Sequence, residues 1–225
     1  MPQKAQDPNE IFDVVDENDR VVATDTRANV HAKKLFHRAV HIFVFRDNGD
    51  ILVQQRSFEK DTCPGLFSTS CAGHVDSGES YEAAAARELR EELGIALPAT
   101  DLVPLFSQRP SPENGNEFVR GYAVKNFAGE ITPNPAEIIR MVAFSPQQLQ
   151  EEIEKNPEKF APSFILAWQD FLATEAKNSH HQPKSHHQAE SHHQAESHHQ
   201  AESHHQPDSH HQADFPHKND GRRNI

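Results

Sequence analysis

An α/β (or α+β) fold, with one mixed sheet sandwiched between helices, is predicted by three features of the sequence. Short segments rich in Val, Ile and Phe are bounded by turn residues, as strands are. A long apolar run at 39–45 (AVHIFVF) reads as a strand buried on both faces. Between the strands lie two or three stretches with helical composition, so sheet and helices must cover one another.

In chain order, residues 12–15 and 20–23 flank Asp16-Glu17-Asn18-Asp19 and predict a hairpin. The 39–45 strand turns through Asp47-Asn48-Gly49-Asp50 into a partner at 51–55. A Pro64-Gly65 loop follows. Residues 80–93 are rich in Ala and Glu, lack Gly and Pro, and stop at Gly94, the composition of a helix with a glycine terminus. Further strands are expected at 102–106, 118–124 and 138–144. Ser145-Pro146 has the form of an N-cap followed by Pro at the first helical position, opening a helix to about 154. A last amphipathic helix over about 162–173 puts Phe164, Ile165, Trp168 and Phe171 on one side. Phe58, Phe67 and Phe118 read as core residues or as pocket lining.

The chain has 225 residues, 34 of them acidic and 22 basic, for a formal charge of −12, and 14 Phe. That is enough apolar material for one core, and the acidic balance argues against a nucleic-acid coat protein. No run of about 18 uncharged apolar residues is present, and the first thirty residues are too acidic for a leader peptide. Cys63 and Cys71 frame neither a disulfide scaffold nor a zinc pattern, so a soluble cytoplasmic protein is expected. From Ser179 to Asp214 a hexad of the form SHHQAE repeats six times without any Val, Ile, Leu, Met, Phe, Tyr or Trp. Such a segment cannot bury enough apolar surface to order itself. A folded domain over 1–176 and a disordered tail over 177–225 follow. Twelve of the 17 His lie in the repeat as adjacent pairs, which suits capture of Ni²⁺, Zn²⁺ or Cu²⁺, although repeat expansion without a task explains the regular period as well.

Residues 73–95 read GHVDSGESYEAAAARELREELGI. On a helix Glu88, Glu91 and Glu92 stand at i, i+3 and i+4, so three carboxylates share one face and can hold hard divalent cations through oxygen. Gly73 permits close backbone approach before the helix, and Glu79 can return toward Arg87. The string resembles the Nudix box at every defined position: Gly73, Glu79, Arg87, Glu88, Leu89, Glu91, Glu92, Gly94 and Ile95. The resemblance implies a Nudix-type fold and a loop-helix-loop in which Glu88, Glu91, Glu92 and the carbonyl of Gly73 bind Mg²⁺, or Mn²⁺ in its place. Glu88, Glu91 and Arg87 then carry the catalysis, Arg87 by orienting acids, while Glu79 and Gly94 hold the box together. The implied substrate is a small organic diphosphate, cleaved by attack of water on phosphorus; no nucleic acid or membrane partner is expected, and a homodimer is left open.

Outside the box, LFHRAVHIFVF (35–45), ILVQQRSFEKDTCPGLFSTS (51–70), AGH (72–74), NEF (116–118) and FAPSF (160–164) resemble the isopentenyl-diphosphate isomerase-like branch of the same superfamily. By that resemblance Arg56 and Lys60 face the diphosphate, Glu117 is a metal ligand, and His37 and His74 occupy metal-binding positions of the isomerase. In a hydrolase, whose box already supplies carboxylates, the two histidines would instead support the site from beside it. The isomerase's essential Cys is replaced by Ala72, with Cys71 one residue early and so on the opposite strand face. A second acidic ligand falls at Gly115 and an active-site Trp at Ser163. Isomerisation of an alkene needs an acid/base pair in an apolar pocket. These departures, with the complete acid run, favour hydrolysis over isomerisation and over a non-catalytic protein working through its His-rich tail.

Overall fold

The computed structural model describes residues 6–179. β1 (Ile11–Val15) and β2 (Val21–Thr26) form the expected hairpin as a separate two-stranded sheet. The seven-stranded sheet comprises β3 (His37–Phe45), β4 (Ile51–Arg56), β5 (Phe67–Ser68), β6 (Cys71–His74), β7 (Val103–Gln108), β8 (Glu117–Val124) and β9 (Ile138–Phe144). Its main path runs β5-β4-β3-β8-β7, with β6 paired to β3 and β9 to β4. β3 and β8 are parallel, in register from His37↔Glu117 to Val44↔Val124, while the other pairings are antiparallel. The predicted mixed sheet is thus present.

The alternation of β3 builds both layers of the sandwich. Val40, Ile42 and Val44 pack against Ala84, Ala85, Leu89 and Leu93 of α2 (Tyr81–Leu93). Phe43 points the other way, with Ile51 and Val53, onto α3 (Pro146–Lys155) and α4 (Pro162–Ser179) through Leu149, Ile153, Phe164 and Trp168. A small third cluster of Phe12, Val14 and Val30 seats the hairpin on α1 (Arg27–Lys33). α2 begins at Ser80, whose hydroxyl accepts from the Ala83 amide, and ends where Gly94 takes φ 68° and Ile95 N–H reaches the Leu89 carbonyl. Ser145 caps α3 in a full capping box with Gln148.

One element was not foreseen, and two readings need correction. The sequence showed no apolar stripe at α1, which is only seven residues long and is held by its Thr26 cap and the burial of Val30. α4 continues past 173 and across the 176/177 boundary to Ser179, because no Gly or Pro from 163 to 179 stops it. Phe58 is 74 % exposed on the loop after β4, whereas Phe67 packs at a tilt against Phe160 and Phe118 is buried. The repeat at 180–214, with its expected disorder and metal capture, lies outside the described residues. No described helix is long and apolar enough to cross a membrane.

Candidate active site

Strand β6 positions the chemistry because its residues alternate between two faces. Cys71 and Gly73 face α2: Cys71 is fully buried in that core, and a Cβ on Gly73 would overlap the Glu88 carboxylate. Ala72 and His74, with Gly73, border a cleft of about 570 Å³ that also reaches Glu117 on β8. The one-residue offset of the cysteine therefore places its thiol in the core, as the alternation argument required.

On the α2 side, Arg87 gathers the acids. Its guanidinium donates to both oxygens of Glu79 (3.2 and 2.9 Å), to Glu88 Oε1 (2.7 Å), to Glu91 Oε2 (3.4 Å) and to the His74 carbonyl (2.9 Å). Glu79 thus returns to Arg87 and ties the loop to the helix, and Asp13 of β1 braces that loop by accepting from Ser77 Oγ and Gly78 N. Glu92 is buried and accepts from Gln54 Nε2 (3.1 Å) and Ala72 N (3.4 Å). Glu91 is the most open of the three, its side chain 43 % exposed. Burial and the neighbouring Glu92 charge push the Glu88 carboxyl up to about 8, and burial raises that of Glu92 as well. Two buried acids that resist ionising together form an environment that a divalent cation would relieve.

On the opposite face of β6, Arg27 Nη1 lies 2.9 Å from His74 Nδ1. A guanidinium can only donate, so neutral His74 carries its proton on Nε2 and gives it to Glu117 Oε1 at 3.2 Å. His37 donates from Nδ1 to the Leu35 carbonyl (2.9 Å), and its Nε2 lies 3.5 Å from Glu117 Oε1. Burial alone would push the Glu117 carboxyl up, but the two histidines hold it well below the usual range. Burial depresses His74 to about 3 and His31 to about 4. His31, His37 and His74 bring potential ligand atoms within 4.8 Å of one another.

Arg56 and Lys60 line the same cleft, but neither is a loose surface charge. Arg56 is 9 % exposed and donates to the carbonyl and hydroxyl of Thr62, and Lys60 is paired with buried Glu137. Three lining residues, Arg27, Glu137 and His41, were not singled out in the sequence, nor was His31 beside His37 and His74. Arg27 and His31 lie on the unforeseen helix α1, and Glu137 precedes β9 on a loop that also sends Asn134 N–H to the Glu92 carbonyl. His41 stands within β3, 5 % exposed, and its Nδ1 is buried without a partner. An orphan of that kind costs on the order of 1–3 kcal/mol.

Comparison with known proteins identifies the family. Residues 35–164 match the NUDIX domain model, and the chain belongs to the Nudix family. It is 36 % identical to the isopentenyl-diphosphate Delta-isomerase of Serratia proteamaculans over 169 residues, covering 74 % of this chain and 94 % of that protein. It is 46 % identical to an uncharacterized Nudix hydrolase of Yersinia pestis over 87 residues, 39 % of this chain and 48 % of that one. Among solved structures, DR0079 from Deinococcus radiodurans superposes with a TM-score of 0.56 at 30 % identity, covering 65 % of this chain and 90 % of the other. The resemblance to the isomerase branch is therefore real, and both isomerases and hydrolases stand among the relatives.

The raised Glu88 carboxyl has a consequence for stability. The folded chain holds this proton more tightly than the unfolded chain, so the stabilisation present at low pH is lost as pH rises toward about 8. The depressed histidines act in the opposite sense, but only below about pH 6.5, where unfolded imidazoles take up protons. In EDTA the melting temperature is expected to fall from pH 6.5 to 8.5, and Glu88→Gln to flatten that slope. A flat profile in the parent protein would contradict the carboxylate cluster.

Proposed function

We propose that the protein is a divalent-metal-dependent hydrolase of a small organic diphosphate, cleaving it by attack of water on phosphorus. The observation that carries this reading is the alternation of β6, which presents Ala72 to the cleft while the complete acid run of α2 is collected at its mouth. Glu88, Glu91, Glu92 and the Gly73 carbonyl, with Glu117 across the strand, fit Mg²⁺ or Mn²⁺, which when bound supplies charge neutralisation for the diphosphate and lowers the pKa of the attacking water. Arg56, Lys60 and Arg27 hold the diphosphate through charge-assisted hydrogen bonds. Arg87 keeps Glu88 and Glu91 aimed at the cleft, and Glu91, open to solvent, is placed to accept a proton from the water.

A second reading, isopentenyl-diphosphate isomerase, is favoured by the relatives that bear that name and by the His31, His37, His74 and Glu117 cluster. Against it stand Ala72, Gly115 and Ser163, and the burial of Cys71, whose thiol is pushed well above its usual range by burial and by Glu92 and Glu88. Turnover in ¹⁸O-water with Mg²⁺ decides between them: label in a released phosphate product supports hydrolysis, and persistence of turnover in excess EDTA contradicts it. Dimethylallyl product from isopentenyl diphosphate, lost in Cys71→Ser or in Cys63→Ser at the cleft wall, would replace the hydrolase reading.

Arg56→Ala and Lys60→Ala are each expected to raise KM about tenfold and to change kcat less than threefold, since a cation on the diphosphate serves ground and transition states alike. Steady-state kinetics on the best substrate check this; an unchanged KM for both would remove them from the binding site.

A further inference from the structure

We propose that His41 is the residue by which the cleft recognises the organic group of its substrate, and that this group is polar, bearing hydrogen-bonding hydroxyl or amide functions, rather than an isoprenyl chain. The inference rests on the diphosphate reading above and adds to it the identity of the far end of the substrate.

His41 lies in the middle of β3, between fully buried Val40 and Ile42, where sheet packing calls for an apolar side chain. Its register partner on β6 is Ala72, and both residues line the cleft. Among the described residues no hydrogen bond reaches its ring, and Nδ1 is buried and unpartnered. Folded proteins leave few polar atoms in that condition, and those that persist call for an ordered water, an ion or a functional partner. A leucine or phenylalanine would fill the strand position without the orphan, so the imidazole is explained by a partner that arrives with the ligand. Ser68 on β5 and Ser163 on α4 border the same cleft and extend its hydrogen-bonding lining. Burial depresses the His41 ring to about 4, so at neutral pH it is an uncharged group with one donor and one acceptor nitrogen. Glu117 and Arg56 are the charged groups that act on it, with opposite signs. An apolar chain seated here would leave the orphan unsatisfied and sealed from water. A site built to hydrogen-bond one group rejects an analogue that lacks it strongly, which makes His41 a discriminating contact.

The test uses the full chain with Mg²⁺ and methylene-bridged ligands that cannot be hydrolysed: methylenediphosphonate itself and its uridine, ribosyl and dimethylallyl esters, titrated by calorimetry. The parent is expected to bind the uridine or the ribosyl ester at least about tenfold more tightly than the dimethylallyl ester. Tightening with uridine alone assigns the contact to the base, and tightening with both assigns it to sugar hydroxyls. In His41→Phe the preference should shrink to within about twofold and methylenediphosphonate affinity should stay within about twofold. The unliganded variant should melt higher than the parent because the orphan nitrogen is gone. If His41→Phe does not fold, His41→Leu carries the same comparison. A preference for the dimethylallyl ester, no preference in the parent, a preference that survives the substitution, or a variant that melts lower and weakens every ligand equally would each overturn the proposal. Failure of the parent to bind methylenediphosphonate would instead overturn the diphosphate reading itself.

Discussion

Glu92→Gln is expected to lower kcat at least about a hundredfold while the metal-free protein becomes more stable. Glu92 is buried beside Glu88, and its oxygen accepts from Gln54 and the Ala72 amide. Glutamine keeps an oxygen for those donors and removes a charge whose repulsion raises the Glu88 carboxyl. Stability and activity therefore move in opposite directions. Glu91→Gln should show a comparable loss of kcat with little change in stability, because Glu91 is largely solvated and solvent screens its contact with Arg87. Mg²⁺-dependent turnover together with melting in EDTA measures both quantities. If both Gln variants turned over like the parent, the carboxylates of α2 would be a solvated helix face and the metal-hydrolase mechanism would fail.

Arg87→Ala is expected to destabilise the metal-free protein by about 3 kcal/mol and to lower kcat at least about a hundredfold, because the change leaves several part-buried acids without their shared cation. The side chain is 17 % exposed and spans Glu79, Glu88, Glu91 and the His74 carbonyl, so its loss also unties the loop at 75–79 from α2. Mg²⁺ should restore part of the stability by replacing the missing positive charge. Arg87→Lys should not rescue activity, since an ammonium cannot make the two parallel bonds to Glu79. Urea unfolding in EDTA and in Mg²⁺ checks the first claim. A shift below about 1 kcal/mol would mean that the acids relax into water when Arg87 is absent.

Much of the fold was legible because local signals and burial agree. The 39–45 run is a strand whose alternate residues really do serve two layers, and Ser80, Gly94 and the Ser145-Pro146 pair terminate helices where their chemistry requires. The Glu79–Arg87 return and the carboxylate face of α2 could be read from spacing, since both are contacts within one short segment. What was hidden depends on distant segments meeting. α1 owes its place to a cap and to one buried Val against Phe12, so Arg27 reaches the cleft, and His31 meets His37 and His74, with no periodic signature. Lys60 reads as an ordinary loop lysine until Glu137, 77 residues away, is found against it. His41 was masked by its setting, because one His in a seven-residue apolar run resembles a tolerated core residue.

Strand β6 also bears on how kinship among such chains should be weighed. Exchanging the residues at 71 and 72 would carry a sulfur atom from the interior to the cleft through the thickness of the sheet, with no change in composition and no need for the backbone to move. In an alignment of 169 residues at 36 % identity that exchange registers as two more differences in a long column of them. To a molecule entering the cleft it replaces a methyl group by a reactive thiol. Descent, tallied over the whole chain, and chemistry, decided by which edge of one four-residue strand faces outward, can therefore part company in a single short evolutionary step.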